Sequence, residues 1–296
     1  SYYGYDAWGN KDNTTYTIEE FFNNTDPNTG RKTRPISPYE PIYISGYVMD
    51  KFTFDDIIFN VGVRVDRFDA NQSVLKDPYV IGNSYNVGDV TNNSNGVSLI
   101  EQHIDGEVVI PDNIGDDYVV YVDALENPNA IVGFRDGDTW YNAVGAEIND
   151  PDILAVNEPY PAPWLQNQDP DAELDGNAFR DYNPAVNIMP RISFSFNISD
   201  EAVFFAHYDV LTQRPTSNNR FSPIDYLFIE NNNSLISNPD LRPEKTIDYE
   251  LGFQQVLTKT SSLKISAYYK EMRDMIQVRN FTGAYPRPYS AFGNLD

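Results

Sequence analysis

Residues 238–254 read NPDLRPEKTIDYELGFQ. The stretch opens as a charged loop broken by Pro239 and Pro243, then turns strictly two-faced from Thr246 onward. Tyr249, Leu251, Phe253 and, a little further on, Leu257 fall on one side; Asp248, Glu250, Gly252 and Gln254 fall on the other. Strand side chains alternate between faces, so this is a strand with one apolar and one polar face. The prolines ahead of it lack the N–H that pairing requires, which keeps the loop out of the sheet.

The same pattern recurs along the chain. In IIFNVGVRVDRF (57–68), Ile57, Phe59, Val61, Val63 and Val65 oppose Asn60, Gly62, Arg64 and Asp66. In NIMPRISFSFNI (187–198), Ile188, Ile192, Phe194, Phe196 and Ile198 oppose Asn187, Arg191, Ser193, Ser195 and Asn197. AVFFAHYDVLTQ (202–213) sets Phe204, Ala206, Tyr208 and Val210 against His207, Asp209 and Gln213, and SLKISAYYK (262–270) sets Leu263, Ile265, Ala267 and Tyr269 against Lys264, Ser266, Tyr268 and Lys270. IYISGYVMDKF (42–52) is a sixth segment with weaker contrast. Soluble strands run about 5–6 residues; these run about twice that. Their connections alternate between short (53–56, 199–201, 258–262) and long (1–40, 70–186, 214–243). Three hairpins therefore have tight turns at one end and large loops at the other.

A strand crossing a bilayer at a tilt needs about 9–11 residues, and an open edge in lipid leaves backbone groups unsatisfied. Barrels of the outer membrane combine short periplasmic turns, long outer loops, an apolar outside and a polar inside. The expected fold is all-β: an antiparallel transmembrane β-barrel fragment with at least six long strands in three hairpins and large extracellular loops. The expected map is a loop over 1–40, hairpin 41–69, acidic extracellular insertion 70–186, hairpin 187–213, loop 214–243, hairpin 244–277, and the start of another loop over 278–296. Tyr39, Tyr43, Phe52, Phe54, Phe68, Phe205, Tyr268 and Phe281 are expected as interfacial girdle aromatics. A soluble sandwich or solenoid with one wet face shares the alternation; strand length and the short/long rhythm favour the membrane. Helix signals are confined to one or two turns at TIEEFF (17–22). No apolar run reaches the 18 or so residues of a membrane helix, and no signal peptide is visible at Ser1. The chain reads as a piece of a longer protein.

Formal charge is −23, and residues 70–185 hold 21 Asp or Glu against Lys76, Arg135 and Arg180. Such a field argues against a phosphate-reading surface, so no nucleic acid partner is expected. It suits a solvated surface or one that attracts cations. With no cysteine, disulfides and thiolate metal sites are excluded. The two histidines, His103 and His207, have no nucleophile or zinc spacing around them, and no phosphate-cradling loop or nucleophile elbow occurs. The chain reads as no enzyme. In DPDAELDG (169–176), Asp169, Asp171, Glu173 and Asp175 alternate and offer oxygen ligands for a structural calcium, although Leu174 stands where an EF-hand needs glycine. No other cofactor is expected. The insertion is too long to be structureless; runs such as DYVVYVDAL suggest a small β-rich cap. There Trp140, Tyr141 and Trp164 offer either a ligand-stacking surface or a local core. Arg214 and Arg220 could face an anionic ligand. Asn-x-Ser/Thr triplets at Asn13, Asn71, Asn92 and Asn280 follow from abundant asparagine.

Asn238, Pro239, Leu241, Pro243, Glu244, Tyr249, Glu250 and Gly252 together resemble a segment of the later barrel of TonB-dependent outer-membrane receptors. Residues 263–277 resemble the strand that follows it. Residues 43–69, with a D-K pair turning into an R-x-D strand, and 189–215 resemble other hairpins of the same barrels. The style is similar to the large Bacteroidetes-type receptors, including Oar-like proteins. The resemblance covers the three hairpins and not 70–185. It implies a 22-stranded barrel plugged by an amino-terminal domain, set in outer-membrane lipid and energised by the TonB complex through that plug. A nutrient would bind at the outer loops, and a surface lipoprotein is a candidate partner. Six strands cannot close such a barrel. An outer-membrane adhesion component using the acidic loops, or a secreted soluble β-rich polysaccharide-binding module, are the alternatives.

Overall fold

The computed structural model describes residues 3–6, 8–91, 98–104, 108–169 and 172–295. Its first hairpin joins β1 (Ile42–Phe54) to β2 (Ile57–Asp69). Seven short strands follow: β3 (Ser73–Leu75), β4 (Val119–Val122), β5 (Ile131–Asp136), β6 (Thr139–Asn142), β7 (Glu147–Ile148), β8 (Ala162–Pro163) and β9 (Phe179–Asp181). Long strands resume with β10 (Ala185–Ser199), β11 (Ala202–Gln213), β12 (Glu244–Thr258) and β13 (Ser261–Arg273), and a last hairpin comprises β14 (Met275–Phe281) and β15 (Tyr289–Leu295). The long strands form one antiparallel sheet, ordered β1-β2-β10-β11-β12-β13. Because β2 pairs directly with β10, everything between them leaves and re-enters the sheet at one seam.

The register carries the two-faced pattern across the whole sheet. Val61 lies opposite Ile192, Phe59 opposite Phe194, Phe194 opposite Ala206, Ala206 opposite Leu251 and Leu251 opposite Ala267. Directly opposed residues share a face, so the apolar sides of these strands fuse into one surface. The other surface collects Asn60 with Ser193, Gly62 with Arg191, His207 with Glu250 and Gln254 with Lys264. A one-residue slip would send every one of these side chains to the wrong side. Thirteen-residue strands such as β1 and β2, rising ~3.4 Å per residue at a tilt of about 45°, span roughly 30 Å, the thickness of a bilayer's hydrocarbon core.

The three hairpin turns are tighter than the sequence suggests, with two residues each: Asp55–Asp56, Asp200–Glu201 and Lys259–Thr260. Asp55 takes the left-handed conformation at φ 47°, which a short polar side chain tolerates better than most. All three turns lie at one end of the sheet. Among the described residues no helix is long and apolar enough to cross a membrane, which leaves crossing by strands as its own question.

At the opposite end the loops build a shared dome. Helix α1 (Ile18–Asn23) is closed by a capping box between Thr17 and Glu20 and buries Phe21 and Phe22. These rings join Tyr79, Trp140, Phe179, Tyr226, Ile236, Phe281 and Tyr289 in one core. A second core, around Trp164, Val120 and Phe134, lies within the insertion, whose sheet runs β7-β6-β5-β4-β8. Residues 278–296, expected as the start of a loop, instead supply most of β14 and all of β15 as far as Leu295, because Phe281 and Tyr289 have an apolar core to enter.

The NPDLRP loop is the hub of this dome. Leu241 is fully buried, and its carbonyl accepts from the Tyr182 hydroxyl at 3.2 Å. Asn238 donates to the Phe292 carbonyl at 2.9 Å, and the Asn294 side chain accepts from the Arg242 amide at 2.8 Å. Asp240 meets Arg180 at 2.9 Å. The loop thereby ties the end of the insertion and the β14–β15 hairpin to the start of β12.

The girdle expectation needs correction. Phe52 and Phe54 lie on the apolar face, but the register puts Tyr43, Phe68, Phe205 and Tyr268 on the polar one. Phe281 belongs to the dome core and Tyr39 to a loop-end cleft. Nearness to a strand end does not decide facing; parity within the strand does.

Candidate functional site

Two surfaces carry concentrated polar chemistry. The first is the polar face of the long sheet, where charges opposed across neighbouring strands are paired. Arg191 on β10 donates to Asp209 on β11 at 2.9 Å, and Lys270 on β13 lies 3.2 Å from Asp248 on β12. His207 and Glu250 approach to 3.8 Å. Asp209 and Asp248 are themselves opposed, so like charges at the centre are each offset by a cation on the flanking strand. Arg64 donates to Asp66 at 2.7 Å and to the Tyr43 hydroxyl at 3.1 Å, while that hydroxyl also donates to Asp66. A water-filled interior would hydrate such a face; lipid would not.

The second surface lies where β1, β2 and β11 run into the dome. Tyr3, Tyr39, Phe68, Arg214, Pro215 and the 216–220 turn enclose a cleft of about 580 Å³. Tyr3 and Tyr39 also wall a neighbouring hollow of about 510 Å³ that contains Glu40, Asp69, Asp181 and Tyr16. The turn between Pro215 and Phe221 is held from two sides. Gln72, just past β2, donates to the Asn219 carbonyl and accepts from the Phe221 amide at 2.9 Å. Asn219, 5% exposed, donates to the Tyr39 hydroxyl at 2.8 Å. Asn218 turns the chain at φ 59°. Arg214 lies over the Tyr43 ring at 5.5 Å, and Arg220 over Tyr3 and Tyr39 at 5.6 and 5.8 Å. Burial holds the Tyr39 phenol above its ordinary range, against the opposing pull of Asn219 and the two arginines.

The residues singled out in the sequence separate into groups. Arg214 and Arg220 come together on this cleft. Trp164 is 1% exposed and Trp140 5% exposed; they sit in different cores, with their faces taken by Tyr85 and by Tyr79 and Tyr121. Neither offers an open stacking surface, and Tyr141 is stacked on Tyr118 at 5.6 Å. Glu173 lies 3.7 Å from Arg34, and the Asp175 side chain accepts from the Asn177 amide at 2.8 Å. Asp171 lies outside the described residues, and so does Asn92. Among the described residues no three His, Cys, Asp or Glu converge to hold a metal, Asp169 included.

The sequence did not point to Gln72 or Asn219, whose contacts join positions more than 140 residues apart, nor to the pairing of Tyr3 with Tyr39 from the two ends of one long loop. The sequence did not point to the buried Arg135 either, which binds Asp77 and donates to the Tyr121 hydroxyl at 3.0 Å. Burial works against its charge, but Tyr121 and Asp77 outweigh that and hold its pKa above the ordinary arginine value.

The family model described as TonB dependent receptor-like, beta-barrel matches residues 1–294. No curated protein matches the chain in sequence. Solved structures that the chain matches include the hemophore receptor HasR of Serratia marcescens, a double mutant in complex with its hemophore HasA and heme: 11% identity, TM-score 0.41, over 90% of this chain and 31% of that one. They also include the copper transporter OprC, with 12% identity and TM-score 0.36 over 92% of this chain and 28% of that one. This chain thus spans about a third of those chains' length. The match from residue 1 to residue 294, with the six-stranded wall, its tight turns at one end and its loops at the other, places the chain in the TonB-dependent receptor β-barrel family.

Proposed function

We propose that this chain is part of the barrel of an outer-membrane TonB-dependent receptor, with lipid against its apolar face and its loop dome outside the cell, where it binds a nutrient for energised uptake. The observation that carries this reading is the fused apolar surface across six strands. Among the described residues no second sheet covers it, and Val48, Ile188, Leu251 and Ile265 are each more than half exposed. Covering one such side chain is worth about 1.5–3 kcal/mol, so covering about a dozen is worth on the order of 20 kcal/mol. A soluble domain does not forgo that, and contiguous apolar surface of this extent marks a membrane or partner interface. The polar face, with its cross-strand ion pairs, would then line the interior, and energy would reach it through the plug of the full-length receptor and the TonB complex. The family's members are receptors and transporters, and no catalytic step is proposed.

The test is extraction and uptake together. The full-length protein should leave membranes only with detergent and run at different positions on gels before and after boiling. Uptake of its nutrient should be lost equally on deleting the receptor or TonB. A protein soluble without detergent, or uptake indifferent to TonB, would contradict the reading.

A further inference from the structure

Among the described residues, the cleft brings Arg214 and Arg220 together without a carboxylate on either. The chain holds 44 carboxylates against 21 basic residues, and most of its structured arginines end on one. Arg64, Arg67, Arg135, Arg180, Arg191 and Arg279 all do. Arg214 and Arg220 do not: among the described residues their guanidiniums meet tyrosine faces and no carboxylate. Stacking on an aromatic ring fixes the plane of a guanidinium while leaving its N–H fork free for a bidentate acceptor. The turn that positions both is itself pinned by Gln72 and the buried Asn219, so the pair is pre-organised and little ordering is required on binding.

Across Tyr3 and Tyr39 the sign reverses. The adjoining hollow presents Glu40 and Asp181, neither of which forms an ion pair among the described residues, beside Asp69, which is held by Arg67 at 2.9 Å. A ligand with net negative charge would have to approach through the field of an insertion that carries 21 acidic residues against three basic ones. A ligand with net positive charge would leave the arginines unanswered. A zwitterion suits both. Hollows of about 580 and 510 Å³ each reach the size of a small-molecule pocket, which favours a short chain over a single amino acid.

We propose that the two hollows form one bipolar site for a short peptide with free termini, its carboxylate on Arg214 and Arg220 and its ammonium toward Glu40 and Asp181. Tyr3 and Tyr39 would flank the peptide between them. This rests on the receptor reading and names its ligand class.

The test is calorimetric titration of the full-length receptor in detergent with four probes: trialanine, trialanine amide, N-acetyl-trialanine and inorganic phosphate. Trialanine should bind, and blocking either end should weaken it tenfold or more. Arg220→Gln should abolish the difference between trialanine and its amide, Glu40→Gln the difference between trialanine and the acetylated form, and Arg31→Gln on the exposed surface should change nothing. Equal binding of free and blocked peptides, phosphate displacing trialanine, or no trialanine binding would each overturn the proposal. These outcomes are read in micelles, so they leave the receptor reading itself to the lipid and TonB tests.

Discussion

Gly252 gives a prediction whose sign is unusual. Glycine within a strand is normally worse than alanine by about 0.5–1 kcal/mol, since it has more backbone freedom to lose. At this position a Cβ would run into the Phe205 ring and meet the Ile265 carbonyl oxygen at 2.9 Å. Phe205 is the cross-strand partner of Gly252 on the polar face, and its ring is covered in turn by the Lys264 ammonium at 4.6 Å. Gly252→Ala must therefore push the ring aside and crowd the backbone of β13, an overpacking cost of about 1–3 kcal/mol that exceeds the conformational gain. Gly46 on β1 supplies the contrast: no atom lies within 4 Å of its would-be Cβ, so Gly46→Ala should be neutral or stabilising. The assay is urea unfolding of the full-length barrel in detergent, followed by the gel shift between folded and boiled forms. Gly252→Ala should lower the midpoint and Gly46→Ala should not. Phe205→Ala should relieve Gly252→Ala in a double-mutant cycle. A Gly252→Ala protein as stable as wild type would refute the packing described here.

Two further predictions concern the dome. Asp77→Ala strands the Arg135 charge, 3% exposed, without its carboxylate; the expected loss is about 3–5 kcal/mol, seen as earlier proteolysis of the insertion. Burial raises the Asp240 carboxyl above its usual 3.8, against the pull of Arg180 and Arg242. A raised carboxyl binds its proton more tightly in the folded state, so its contribution is full below about pH 4 and fades as pH rises through the folded value. Urea midpoints should therefore fall across that window in wild type by more than in Asp240→Asn, and identical pH profiles would refute the assignment.

The long strands were legible because one face of each meets a uniform medium, and that uniformity writes an unbroken period of two into Val61-to-Val65 or Leu251-to-Phe253. The hairpin ends were legible because Asp55–Asp56 and Lys259–Thr260 interrupt that period with turn residues. The dome was not legible. Its strands are two to seven residues long, too short for a period to register, and its core joins Phe21, Trp140, Tyr226 and Tyr289 from four separate segments. The aromatics were the least readable. Trp140 and Trp164 look the same in sequence whether they stack on a ligand or fill a core, and only burial separates the two. Of the cleft, the sequence showed Arg214 and Arg220 and nothing of Gln72, Asn219 or Tyr3, which reach it across the fold.

Contact between the fused apolar face and lipid can be read by site-directed spin labelling. Nitroxide labels at single cysteines replacing Val61, Leu251 and Ile265 should be placed beside labels at Asn60, Glu250 and Lys264, their neighbours of opposite facing, in the full-length receptor in bilayers. The first three labels should be relaxed by lipid-dissolved oxygen and the second three by a water-soluble nickel chelate. Apolar-face labels shielded from both reagents would show that protein covers this face, and would contradict the membrane wall.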